Sequence, residues 1–228
     1  MERHKIESRV VDLKDVFVAY ETTSGKVMAL RGINFCVKEG ETIVINGPSG
    51  SGKTTLLKLI LGLVKPISGK VYVFGMNPFI EDNARKIRRE IAYCSQEGLF
   101  IKQLTIYENV ELYLCGRNKK VPKTKINNLA KQLDINNVLD KFPDQLSGGE
   151  LKRAELLMVL INKPKLLLLD EPTAMLDAEN VERIINMLRQ YLKSATTVIA
   201  THDIRLNDLG HKIINLVGGR ITDVICNK

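Results

Sequence analysis

The sequence predicts an α/β fold: a mainly parallel β-sheet, an antiparallel β-subdomain towards the N-terminal end, and an inserted α-helical lobe. Three observations carry this. Residues 42–46, 166–169 and 196–200 are short, almost continuously apolar runs, as in strands buried on both faces. Between the last two, Val181, Ile184, Ile185, Leu188 and Leu192 fall at helical spacing on one face. Strands joined through helices favour a parallel sheet. In residues 97–145 the apolar period is helical instead, through Val110, Leu112, Tyr113 and Leu114 and then Ile126, Leu129, Ala130 and Leu133.

Taken in order, residues 10–20 alternate through Val11, Leu13, Val16 and Val18 and read as a strand. Residues 22–26 form a turn, and residues 27–37 a second strand. Residues 38–41 turn into the buried strand 42–46. A Gly-rich loop follows, then a helix through Leu56, Leu57, Leu59, Ile60, Leu61 and Leu63, which Lys65-Pro66-Ile67-Ser68-Gly69 should end. The whole chain reads as one domain, with a core of about 1–96 and 163–228 and a helical lobe of about 97–162.

Composition narrows the function classes. The 228 residues are 44% hydrophobic and 26% charged, which allows a sizeable core and argues against disorder. No apolar run is long enough to span a membrane, and the first residues lead into no signal-peptide stretch. A cytoplasmic protein is expected. Cys36, Cys94, Cys115 and Cys226 are scattered and read as reduced thiols. The net charge of +8 concentrates in Arg117, Lys119, Lys120, Lys123, Lys125 and Lys131, and again in Arg85, Lys86, Arg88 and Arg89. Such windows suit a solvated face or an anionic surface. The chain has no Trp and no aromatic residues interleaved with these charges, so no nucleic-acid partner is expected.

Two stretches carry the chemistry. Gly47-Pro48-Ser49-Gly50-Ser51-Gly52-Lys53-Thr54-Thr55 fits G-x-x-x-x-G-K-S/T between a strand and a helix. Its glycines let backbone N–H groups turn towards phosphate oxygens, Lys53 adds charge near the β- and γ-phosphates, and the Thr54 hydroxyl can hold Mg²⁺. The apolar strand 166–169 then ends in Asp170 and Glu171. Asp170 can hold Mg²⁺, and Glu171 can orient and deprotonate a water attacking the γ-phosphate. The second stretch, Leu146-Ser147-Gly148-Gly149-Glu150, is a Gly-Gly turn opening a helix, whose positive end can face an anion.

Together these motifs resemble the nucleotide-binding subunit of ATP-binding cassette (ABC) transporters, over nearly the whole chain. The resemblance implies a P-loop NTPase core with ATP and Mg²⁺ as ligands. It implies that Ser147, Gly148 and Gly149 contact the ATP held by the phosphate loop of a second ATPase subunit, in a head-to-tail dimer. It implies that Gln96 senses the metal and the attacking water, that His202 reaches the γ-phosphate, that Tyr20 stacks on adenine, and that Asp177 communicates across the dimer. The motor would drive a separate transmembrane permease subunit and sit peripherally on the inner face of the membrane. The general look leans towards the lipoprotein- and macrolide-export type. A non-transport cassette ATPase, such as the iron-sulfur assembly type, is the alternative. Three departures stand out: Glu150 replaces the usual Gln, Met175 replaces a small residue, and Leu157-Met158-Val159 replaces a frequent Ala-Arg-Ala. The last removes an arginine expected to anchor the helix by a salt bridge.

Overall fold

The computed structural model describes residues 9–23, 25–95, 98–192 and 195–227. Strands β1 (Arg9–Thr22), β2 (Gly25–Lys38) and β4 (Ser68–Val73) form an antiparallel sheet in the order β2-β1-β4. Strands β3 (Thr42–Asn46), β5 (Ile91–Cys94), β6 (Leu166–Asp170), β7 (Thr196–Thr201), β8 (Lys212–Val217) and β9 (Arg220–Cys226) form a second sheet. Its order is β5-β6-β7-β3-β8-β9, parallel throughout except for the final antiparallel β8–β9 pair. The helices are α1 (Lys53–Ile60), α2 (Glu81–Glu90), α3 (Ile106–Cys115), α4 (Lys123–Gln132), α5 (Gly148–Leu160) and α6 (Ala178–Tyr191).

The continuous apolar runs have the expected cause. Every residue of β6 and β7 is buried, because both faces of the parallel sheet are covered. Side-chain alternation divides each strand between two cores. Ile43, Ile45, Leu166, Leu168 and Val198 pack with α1 and the antiparallel sheet. Val44, Leu167, Leu169 and Ile199 pack with α3, α4, α5 and α6. Helix α5 is buried continuously from Lys152 to Leu160, so it runs through this second core rather than along its surface.

Three expectations need correction. Helix α1 stops at Ile60, not after Leu63. Gly62 takes φ +69°, its N–H bonds to Leu59 O at 3.0 Å, and the Leu63 N–H reaches back to Lys58 O at 2.9 Å. This left-handed glycine cap satisfies the last carbonyls and turns Leu63 out to solvent. A Cβ at Gly62 would lie 2.6 Å from Pro78 O. Gly62→Ala is therefore expected to cost about 2 kcal/mol, or about 4–8 °C in Tm by scanning fluorimetry. An unchanged Tm would show that the cap bears no strain. Second, Leu112 faces solvent while its neighbours Val110 and Leu114 are buried. Third, helix α2 lies where only a basic cluster was visible; its buried stripe is just Ala84 and Ile87.

Part of the basic charge is used internally. Arg88 donates to Leu61 O and Gly62 O at the end of α1, and Arg85 pairs with Glu81. Arg117 stacks on Tyr113 and donates to Ile91 O, and Lys119 donates to Asn162 O at 2.7 Å. Lys120, Lys125 and Lys131 are exposed. All four cysteines are free.

Candidate functional site

The register of the parallel sheet builds the site. Asn46 pairs with Thr201 across β3–β7, and Asp170 with Ala200 across β6–β7. The residues that leave these strands, Gly47, Glu171 and His202, therefore emerge at one rim, outside the carboxyl ends of the strands, where open α/β sheets bind ligands. There a cavity of about 620 Å³ is lined by residues 48–55, by Glu171 and His202, and by Tyr20, Val27, Met28 and Ala29 of the antiparallel sheet. That volume suits a small organic ligand.

The loop between β3 and α1 packs against β8. A Cβ on Gly47 would lie 2.1 Å from Leu216 O, so only glycine fits. No side chain caps the N-terminus of α1, and its first amides are left for an anion. Lys53 is buried and donates to Gly47 O at 2.8 Å and Pro48 O at 3.1 Å. Its amine also lies 3.6 Å from Glu171 Oε1.

Glu171 is the hub. It is a buried, non-glycine residue with φ +47°, a conformation that costs energy and here points its carboxylate into the cavity. Its Oε2 accepts from Thr201 Oγ1 at 3.1 Å and from the His202 backbone N–H at 3.2 Å, and lies 3.0 Å from His202 Nδ1. Tyr20 places its ring on the cavity wall and donates from its hydroxyl to Thr55 Oγ1 at 3.3 Å.

Asp170 sits one residue deeper. Its Oδ2 accepts from Tyr93 Oη at 3.2 Å, and the Thr54 hydroxyl lies beside the carboxylate. Its Oδ1 is buried with no hydrogen-bond partner among the described residues. Burial raises the Asp170 pKa above the usual carboxylate value, against the lowering pull of the Thr54 and Tyr93 hydroxyls. Burial, and then Asp170 itself, pushes the Tyr93 phenol up as well. A buried carboxylate with a spare oxygen next to a threonine hydroxyl is a hard-cation donor set. Among the described residues no cluster of three or more His, Cys, Asp or Glu side chains could hold a metal by itself, so the ligand must complete any such site.

The second motif lies elsewhere on the chain. Ser147 caps α5, accepting from Glu150 N at 3.3 Å, while Glu150 Oε2 accepts from Ser147 N and Oγ at 2.8 Å each. This reciprocal box explains how Glu substitutes for Gln there, and the bonds from Ser147, the backbone one foremost, lower the Glu150 pKa. Gly148 lines a small crevice with Ala174 and Met175, and Gly149 packs against Leu176, which a Cβ would meet at 3.3 Å. Neither they nor Ser147 line the cavity. Asp177 caps α6, accepting from Asn180 N at 2.9 Å, and Arg153 of α5 donates to Asn180 Oδ1. The Asn180 backbone bond holds the Asp177 carboxyl below its ordinary value. Gln96 lies outside the described residues.

Sequence reasoning missed Val27, Met28 and Ala29, which look like ordinary strand positions, and Tyr93 and Thr201, whose partners are distant in sequence. It also missed a link beside the site, Thr173 Oγ1 donating to Asp203 Oδ2 at 3.1 Å.

Comparison with known proteins agrees with this geometry. Residues 30–174 match the family described as ABC transporter. A Staphylococcus aureus protein named as the hemin import ATP-binding protein HrtA is 35% identical over 92% of this chain and 98% of its own. Its Staphylococcus saprophyticus counterpart is 36% identical over 93% and 99%. Among solved structures, the dimeric bacterial ABC transporter cassette MJ0796 superposes with a TM-score of 0.88 at 33% identity, covering 96% of this chain and 99% of that one. The same cassette is known in a post-hydrolysis state bound to ADP and Pi, with the same similarity. The protein cbiO1 of Clostridium perfringens, part of the transporter complex cbiONQ, gives 0.77 at 30% identity, covering 96% and 88%. With its phosphate loop, paired strand-end carboxylates and Ser-Gly-Gly helix cap in one cassette fold, the chain belongs to the ABC transporter family, as the ATP-binding and ATP-hydrolysing subunit of a transporter.

Proposed function

We propose that the cavity binds ATP with its phosphates along residues 47–55, and that Glu171 is the general base of hydrolysis. The observation that carries this is the convergence of Lys53 and His202 on the one buried carboxylate of Glu171 at the rim of the sheet. Lys53 would exchange its loop carbonyls for phosphate oxygens. Glu171 would take the proton of the attacking water, with Thr201 and His202 fixing its orientation. His202, whose side chain is largely exposed, would reach the γ-phosphate from the cavity mouth. The Tyr20 ring would stack on the base.

Mg²⁺ fits the donor set. Thr54 and Asp170 would hold it together with phosphate oxygens, with Gln96 as a further ligand, and the ion would neutralise charge on the phosphates. The orphaned Asp170 Oδ1 supports this assignment. An acid whose folded pKa is raised loses folding stability as pH rises from its unfolded value through the folded one. Burial thus disfavours the carboxylate form of Asp170 in the cation-free fold. Asp170→Asn should keep the Tyr93 bond and raise the Tm of the cation-free protein, while abolishing Mg²⁺-dependent hydrolysis. Full Mg²⁺-dependent turnover in that variant would remove Asp170 from the metal site.

The chain would form one ATP-binding domain, with a core of about 1–96 and 163–228 and a helical lobe of about 97–162. Ser147, Gly148 and Gly149 would act on the ATP of a second subunit in a head-to-tail dimer, since they stand apart from their own chain's cavity. Asp177, at the cap of α6, would lie at the subunit boundary. No helix among the described residues is long and apolar enough to cross a membrane. A separate permease subunit would therefore hold the protein at the inner membrane face. The relatives named for hemin import, and the part played by cbiO1 in a transporter complex, support a transporter motor over a non-transport cassette ATPase. The test is capture of the Glu171→Gln protein from solubilised membranes, with and without ATP. A multi-span membrane protein is the expected companion, and its sequence decides between import and the export type. Soluble partners alone would overturn the transporter assignment.

A further inference from the structure

Helix α5 contains a buried ion pair with no place in the ATP chemistry. Lys152 and Glu155 are 6% and 2% exposed, and their charged groups meet at 3.0 Å. Both grip one residue, Ser95, where the chain leaves β5. Glu155 Oε1 accepts from Ser95 N at 2.7 Å and from Ser95 Oγ at 3.2 Å. Lys152 Nζ donates to Ser95 O at 2.7 Å and lies 3.8 Å from Cys94 Sγ. Burial would push the Lys152 amine down, but its neighbours, Glu155 among them, hold it above its ordinary value. It stays charged.

Stability alone does not call for such a pair, because apolar residues of similar volume often serve as well or better. The pair does something apolar residues cannot: it fixes both backbone groups and the side chain of Ser95 in one orientation against one helical turn. Strand β5 also reaches the active site, since Tyr93 donates to Asp170 Oδ2 two residues before Ser95. On the other side, Lys152 and Glu155 lie five and eight residues along the same helix from Ser147, about 8–12 Å at helical rise. The helix is buried continuously from Lys152 to Leu160, and a close-packed interior transmits a shift rather than absorbing it.

We propose that Lys152 and Glu155 are positioning residues, a buried clamp that sets the Ser147–Gly149 end of α5 relative to the Asp170 strand ends. ATP-driven pairing of two subunits would then depend on the clamp, although neither residue touches ATP. The proposal rests on the reading that Ser147 and Gly149 engage the partner's nucleotide. The clamp also accounts for the missing arginine at Met158, because α5 is anchored by a different charge pair one turn earlier.

The test compares the parent with Lys152→Met/Glu155→Leu, which removes both charges at nearly constant volume, and with Lys152→Arg, which keeps the pair. Three quantities are read: ATP affinity of the monomer, kcat, and ATP-induced dimerisation in the Glu171→Gln background by sedimentation. The double variant should bind ATP within twofold of the parent, while kcat and the dimerisation constant each weaken at least tenfold. Lys152→Arg should restore most of both. If the double variant does not fold, Glu155→Gln, which keeps one oxygen for the Ser95 N–H, is read in the same way with at least a threefold loss expected. Dimerisation and kcat within twofold of the parent would overturn the proposal. So would a loss of monomer ATP affinity that matches the loss of kcat, since that is what a merely structural pair would give. Ser147→Arg is measured alongside: if it dimerises as well as the parent, the reading of Ser147 as a contact to the partner's ATP fails, whatever the clamp variants do.

Discussion

Glu171→Gln should lower the rate of ATP hydrolysis by about 10²–10⁴-fold, the range for a positioned general base. Binding should survive. Gln is isosteric, its amide oxygen can still accept from Thr201 Oγ1 and the His202 N–H, and the φ of +47° is no worse for Gln than for Glu. Removing a negative charge 3.6 Å from the Lys53 amine also leaves that amine fully available to phosphate. ATP affinity should therefore be equal or tighter, and the dimer should persist with ATP. Phosphate release in a single turnover, together with gel filtration in ATP, reads both effects. A wild-type rate of phosphate release would refute the assignment of Glu171 as the base.

Lys53→Ala should act on the other term. A charge-assisted contact to phosphate contributes about 1.5–3 kcal/mol, so ATP affinity should fall by about 10–100-fold. The variant also strips the loop of its internal tie, since Gly47 O and Pro48 O lose their donor and the buried Glu171 loses its cation. The nucleotide-free protein should consequently melt at a lower temperature than the parent, although the role proposed for Lys53 is ligand binding. Titration with a fluorescent ATP analogue and thermal melting test the two parts. Retained affinity would mean that the loop does not hold phosphate through Lys53.

The elements legible in the sequence are those whose cause is local. The phosphate loop, the strand ending in Asp170–Glu171 and the Ser147 cap each announce themselves within a few residues. What escaped either leaves a faint local pattern or depends on partners far along the chain. The Gly62 cap lies inside the apolar series from Leu56 to Leu63, where periodicity carries on through the glycine. Helix α2 was hidden because two buried residues make too thin a stripe. The Lys152–Glu155 pair resembles an ordinary exposed i,i+3 pair until Ser95 is brought beside it. Val27, Met28 and Ala29 belong to the cavity only because the antiparallel sheet faces the loop after β3. Gln96, read from its place after residues 91–95, lies outside the described residues.

The uniformity of β6 has a consequence for how the chain finds its fold. Its four leucines are all fully buried, so a slip of one residue against β5 and β7 would exchange leucine for leucine on each face. Hydrophobic pattern, which usually forbids such a slip, is silent here. The choice falls to what lies at either end: the Lys165 N–H on Glu90 O, the Glu171 N–H on Ala200 O, and the Asp170 carboxylate against Tyr93. Two residues proposed to carry the chemistry, Asp170 by its side chain and Glu171 by its backbone N–H, are thus also index marks that align β6. Replacing Asp170 with an apolar group would remove its bond to Tyr93, one of these marks, and so loosen the register of β6.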